Sequence, residues 1–205
     1  MTNRDTALWP RAACAADTVR MTLLSNDLAT VPDVSATERA DRLAAAGASW
    51  SERIASAPSS AALTYRVSGS GEGSVASAIT AGKHRFLVDE PAVLAGDDVA
   101  ASPVEFALGA LISCQIVVYR LYASALGIQV DDIRVEAEGD LDVRNLFGIT
   151  DEVRAGFSTI RLNINITGPE TEDRYQELRA AVDAHCPVLD LFQNPTPVEI
   201  TVSKG

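Results

Sequence analysis

Along "STIRLNINITG" the residues Ile160, Leu162, Ile164 and Ile166 alternate with Arg161, Asn163 and Asn165, a period of two that predicts a strand with one dry and one wet face. "DIRVEAEG", Asp132–Gly139, repeats the pattern through Ile133, Val135 and Ala137. Upstream, "LTYRVSG" and "GSVASAIT" predict two short strands around a Gly-Ser-Gly turn, and "KHRFLVDEP" a third that stops at Pro91. The chain closes on "PVEITVS", which predicts one more alternating strand.

Three segments break this period. "SPVEFALGALISCQIVVYRLYASALGI" is almost continuously apolar and predicts a buried helix, with Ser102 as its cap and Pro103 at its first position. "PETEDRYQELRAAVDAHCPV" predicts a second helix, capped by Thr171 with acids in its first turn, whose apolar face carries Tyr175, Leu178, Val182 and Cys186. "SATERADRLAAAGASWSERIAS" predicts a third, with Ser35 as cap and Leu43, Ala46, Trp50 and Ile54 on one side, before a break at Pro58-Ser59-Ser60. The order from residue 61 is β-β-β-α-β-β-α-β. This is an α+β pattern, antiparallel sheet packed on two central helices, with residues 1–60 as a helical N-terminal extension.

Composition narrows the function. The 205 residues carry a net charge of -11, a field that repels phosphate backbones and anionic lipid, so neither nucleic acid nor membrane is an expected partner. The apolar segment approaches membrane-spanning length, but Ser113, Gln115, Arg120 and Ser124 interrupt it, and a buried helix fits better. No sustained apolar run opens the chain, and a cytoplasmic protein is expected. Three cysteines, Cys14, Cys114 and Cys186, form neither a disulfide framework nor a C-x-x-C pair, so no structural metal or cofactor is expected.

The thiols remain. Cys114 sits midway along the apolar helix and Cys186 at the end of the second helix's apolar face. Both faces must pack on the same sheet, so the two sulfurs could meet although 72 residues separate them (186 − 114). Each could equally be a small core residue, since free cysteine is among the most buried types.

From Leu63 to Val202 the chain resembles the OsmC/Ohr (OsmC-like) family of peroxide-detoxifying proteins. The resemblance rests on "GKHRFLVDEP", the Ser102–Ile128 helix, "VEAEGDLDVRNLFGI", "GFSTIRLNINITG", "AHCPVLDLF" and the closing "NPTPVEITV", in that order and spacing. It implies an OsmC-like fold for residues 61–205 and an intertwined homodimer with each active site at the subunit interface. It further implies a thiol peroxidase that reduces organic hydroperoxides, with Cys114 peroxidatic and Cys186 resolving, reset by a dithiol reductant that in the family is often lipoyl-linked.

In the family's best-known peroxidases an arginine, held by a glutamate early in the central helix, lowers the reactive thiol's pKa. Counting back ten residues from Cys114 gives Val104, with Glu105 one place later, so Glu105 is the candidate acid. Arg66, Arg85, Arg144 and Arg154 are candidate cations, and Arg66 is preferred because the family's arginine comes from an early strand. His84 and His185 lack the spacing of a metal site or of a Cys-His pair. Two alternatives stay open: another cysteine-dependent enzyme, acting on a thioester or other sulfur compound, and a non-catalytic dimer that binds an apolar ligand.

Overall fold

A computed structural model describes residues 31–205; Cys14 lies outside the described residues. Helix α1, Ala36–Ser56, is capped by the Ser35 side chain, which accepts from the Glu38 amide. It ends before a short 3-10 turn at Pro58–Ala61. Strands β1 (Val67–Glu72), β2 (Ala76–Ala81) and β3 (His84–Val88) form an antiparallel three-stranded sheet in the order β1-β2-β3. The first strand begins at Val67, later than the alternation from Leu63 predicts, and Leu63 and Tyr65 are exposed.

Helix α2, Pro103–Leu126, is fixed at both ends by its sequence. Ser102 and Glu105 form a reciprocal capping box with Pro103 in the first turn, and Gly127 closes the helix at φ 62°, a left-handed conformation that glycine adopts without steric cost. The loop before α2 hangs on Asp89, a buried carboxylate whose Oδ2 accepts from the amides of Asp97 at 3.0 Å and Val99 at 3.2 Å. Phe86 of β3 stacks on Phe106 of α2 at 5.2 Å between ring centroids.

Strands β4 (Asp132–Asp140) and β5 (Thr159–Thr167) pair antiparallel, and their register matches the alternation read from the sequence. Ile133 faces Ile166, Val135 faces Ile164, and Ala137 faces Leu162. On the wet face Arg161 pairs with Glu138 at 3.1 Å and Asp140 at 2.6 Å. Gly139 has no room for a side chain, because a Cβ there would lie 2.5 Å from the Phe157 ring.

Helix α3, Glu172–His185, and a short helix α4, Pro187–Gln193, complete the fold. Thr171 occupies the N-cap position of α3, but its side chain makes no capping bond. The core is where α2, α3 and the β4–β5 sheet meet: Val118, Tyr119, Ala123, Ile128, Ile133, Leu178, Val182 and Cys186. Gln115, on the same face of α2 as Leu111 and Tyr119, is fully buried with neither amide atom bonded among the described residues.

Two expectations need correction. Where the sequence predicted only a closing strand after the second helix, Pro187 opens α4 at its first helical position, where a missing N–H costs nothing. The closing strand does not form among the described residues. Alternation makes a strand only where a neighbour supplies the ladder; Val198, Ile200 and Val202 have none and stand 77%, 83% and 90% exposed.

Tyr119 gives this core a measurable signature. Its phenol is 1% exposed, and burial, followed by the nearby Asp183 carboxylate, pushes its pKa from 10.0 to about 12 against the opposing charge of Arg179. A raised folded-state pKa stabilises the fold fully below pH 10 and loses that contribution as pH rises toward 12. Urea midpoints should fall across that window by the equivalent of about 2–3 kcal/mol, and Tyr119→Phe should flatten that part of the slope.

Candidate active site

Cys186 is placed by the break between α3 and α4. A residue before proline is pushed out of the helical region, and Cys186 takes φ -81° and ψ 109°. Its amide still donates to the Val182 carbonyl at 2.9 Å, and its carbonyl accepts from the Asp190 amide at 3.0 Å. The backbone on both sides is therefore pinned, and the side chain, 2% exposed, is held against α2.

Cys114 meets it there, packed against the core cluster that holds Cys186 and close enough for the Cys186 thiol and the Val188 amide, in the first turn of α4, to act on its ionisation. Both cysteines are free. Cys186 is buried, whereas Cys114 is half-buried at the edge of the exposed side of α2, flanked by Ser113 and Val117. Cys114 is thus the partly exposed residue of the two and Cys186 the buried one.

The electrostatics of the single protomer work against ionisation. Burial pushes the Cys114 thiol above its ordinary value, the Val188 amide partly opposes this, and the neighbouring Cys186 thiol adds to the rise. Among the described residues no cation acts on it. Arg66 stands exposed just before β1. Arg85 is also exposed on β3, Arg144 is paired with Asp142 at 2.6 Å, and Arg154 lines a different cavity.

Glu105 is engaged at the start of α2. Its Oε2 accepts from the Ser102 amide at 2.8 Å and from the Ser102 hydroxyl at 2.6 Å, and these bonds hold its carboxyl below the usual range. Nine residues before Cys114, it stands about half a helical rotation from the thiol and ~13 Å along the axis. Glu105 caps the helix and pairs with no arginine among the described residues.

His185 stacks on Tyr122 at 4.7 Å and places Nδ1 2.7 Å from the Ala181 carbonyl oxygen, so it belongs to the end of α3. His84 is exposed at the start of β3. No cluster of three His, Cys, Asp or Glu side chains suited to a metal occurs among the described residues. A cavity of about 960 Å³ runs along β5 between Phe157, Tyr175, Arg179 and Phe192, and neither sulfur lines it. Sequence reading missed Val188, whose amide becomes available only because α4 starts behind Pro187.

An accessible thiol backed by a buried one, on two helices that pack against an antiparallel sheet, defines a two-cysteine α+β scaffold. The family model for OsmC-like proteins matches residues 96–201, and the chain belongs to that family. The OsmC-like protein of Mycoplasma pneumoniae superposes with a TM-score of 0.56 at 18% identity, over 64% of this chain and 88% of that one. An organic hydroperoxide resistance protein OsmC from Legionella pneumophila gives 0.51 at 21%, over 64% and 90%. An organic hydroperoxide resistance protein from Elizabethkingia anophelis gives 0.50 at 20%, over 64% and 89%. At these identities the likeness establishes the fold. No curated protein matches the sequence.

Proposed function

We propose that this chain is a cysteine-based peroxidase that reduces organic hydroperoxides in the cytoplasm, with Cys114 as the peroxidatic and Cys186 as the resolving residue. The observation that carries the reading is the contact between the two thiols, one half-exposed and one buried. The Cys114 thiolate attacks one peroxide oxygen; an S–O bond forms, the O–O bond breaks, and the departing alkoxide takes a proton to leave as the alcohol. The resulting sulfenic acid is met by the Cys186 sulfur, an S–S bond forms, and water leaves. A dithiol reductant, by the family's example a lipoyl-linked one, returns two electrons by exchange and restores both thiols.

No cation among the described residues acts on Cys114, and a second copy of the chain supplies one in this reading. Phe106, Val117 and Leu121 are exposed on one side of α2 beside Cys114, and Arg66, exposed just before β1, is not among the groups acting on its own thiol. A homodimer built on that side of α2 would bury the apolar row, enclose Cys114, and bring Arg66 of the partner subunit toward it. Helix α2 has the length and composition to cross a membrane, but Leu111, Gln115, Val118, Tyr119 and Ala123 are already buried against the rest of the chain. Only one side is left to cover.

The test is stoichiometric. One equivalent of cumene hydroperoxide should convert the free thiols to a Cys114–Cys186 disulfide, seen by peptide mass spectrometry, with one equivalent of cumyl alcohol released. Alcohol release without that disulfide would remove the resolving role, and no release would remove the activity.

A further inference from the structure

A second cleft, about 580 Å³, opens where the first turns of α1 meet the end of α2 and the segment leading into β4. That volume falls in the range of small-molecule sites. Helix α1 lies outside the 96–201 span that matches the family model, so one wall of the cleft comes from the extension and the other from the matched domain. Its walls are Leu43 from α1, Ala123 from α2, and Ile128 and Val130 beyond Gly127; Ala123 and Ile128 are buried.

Two guanidinium groups face the same space. Arg39 and Arg120 both line the cleft and lie close enough to repel. Arg39 uses one donor on the Val34 carbonyl at 3.3 Å, whereas the Arg120 side chain has no hydrogen-bond or ion-pair partner among the described residues. Arg120 is partly buried, and desolvation, then the Arg39 charge, depress its pKa, with Asp132 opposing. Asp132 is itself held by Arg134 at 3.1 Å. Ala36 and Thr37, also in the wall, belong to the first turn of a 21-residue helix, whose amides precede the first intrahelical bond and add positive potential.

Like charges held together beside apolar surface are unfavourable until an anion lies between them, and this occurs in a protein whose net charge is -11. Asp131 lines the cleft too, accepting from Gln129 Nε2 at 2.8 Å. Two cations and one carboxylate leave a local charge of +1 (2 − 1), which suits a single carboxylate better than a phosphate dianion.

We propose that this cleft binds a medium-chain alkyl carboxylate, its head between Arg39 and Arg120 at the start of α1 and its chain along Leu43, Ala123, Ile128 and Val130. Nothing in this depends on peroxide chemistry. Arg120 lies six residues beyond Cys114, ~9 Å along α2 and on a different side of the helix.

Calorimetric titration of the full-length protein with decanoate tests it, with decanol as the uncharged chain and acetate as the chainless charge. Decanoate should bind at one site, and decanol and acetate each at least about tenfold more weakly. Arg120→Gln and Arg39→Gln should each weaken decanoate about tenfold, whereas Cys114→Ser should leave it unchanged. Arg39→Gln, on the outer helix, keeps the test valid should Arg120→Gln fail to fold, and its peroxide turnover should match wild type. Equal decanoate affinity in Arg39→Gln and wild type, decanol binding as tightly as decanoate, or weakening by Cys114→Ser would each overturn the proposal.

Discussion

Cys114→Ser should abolish the reaction with cumene hydroperoxide, lowering the second-order rate by about three orders of magnitude or more, while Cys186→Ser should retain a single fast turnover. The asymmetry follows from the order of the bonds. A serine hydroxyl at position 114 is not ionised near neutral pH and is a poor nucleophile toward a weak O–O bond. At position 186 the loss matters only afterwards: the sulfenic acid on Cys114 forms at its normal rate and then finds no thiol behind it. A second peroxide would carry it to sulfinic acid, so Cys186→Ser should show a burst of one equivalent of alcohol followed by inactivation. Stopped-flow absorbance gives the burst, and mass spectrometry of Cys114 gives its oxidation state. If Cys114→Ser reacts as fast as wild type, the peroxidatic assignment is wrong. If Cys186→Ser, supplied with the same dithiol reductant, turns over as steadily as wild type and gathers no sulfinic acid on Cys114, Cys186 is a core residue and no more.

The parts of this fold that were legible in the sequence are those fixed by local chemistry. Ser102, Pro103 and Gly127 mark the ends of α2, because a cap, a fixed φ and a left-handed closure are each properties of one residue. The β4–β5 pairing followed from alternation, since both strands have one buried face and a slip of one residue would expose it. The meeting of Cys114 with Cys186 was legible only as a coincidence of faces, given contact by the pinned backbone at Pro187. Helix α4 was hidden because "PVLDLFQ" is too short for periodicity to declare. "PVEITV" misled for the converse reason: it carries a strand's pattern, but pairing is not a property of the segment alone. Glu105 shows the same limit. The resemblance made it the candidate acid, one place from where the family's glutamate would stand, and in the protomer its carboxylate forms the capping box with Ser102.

The cation missing from Cys114 makes the second large prediction. Val117 lies one turn beyond Cys114 on the exposed side of α2, in a row with Phe106 and Leu121. An aspartate there costs little in the free protomer, where water reaches it, but in a helix-to-helix contact it would be buried without a partner, at several kcal/mol. Val117→Asp should therefore keep its helical circular dichroism and sediment as a monomer, its self-association weakened by about a hundredfold or more. The chemistry should change with the mass. In the lone protomer burial holds the Cys114 thiol above its ordinary value, so less thiolate is present near neutrality, and the alkylation rate climbs as pH rises toward that raised value. In the proposed dimer the partner's guanidinium would reverse the sign, and the climb would begin at lower pH. Iodoacetamide rates across pH should place the Val117→Asp profile to the alkaline side of wild type, with hydroperoxide reduction lowered about as far as the thiolate fraction. A monomeric Val117→Asp protein with the wild-type profile would show that Cys114 is activated within its own subunit, and Arg66 of the partner subunit would then have no part in the reaction.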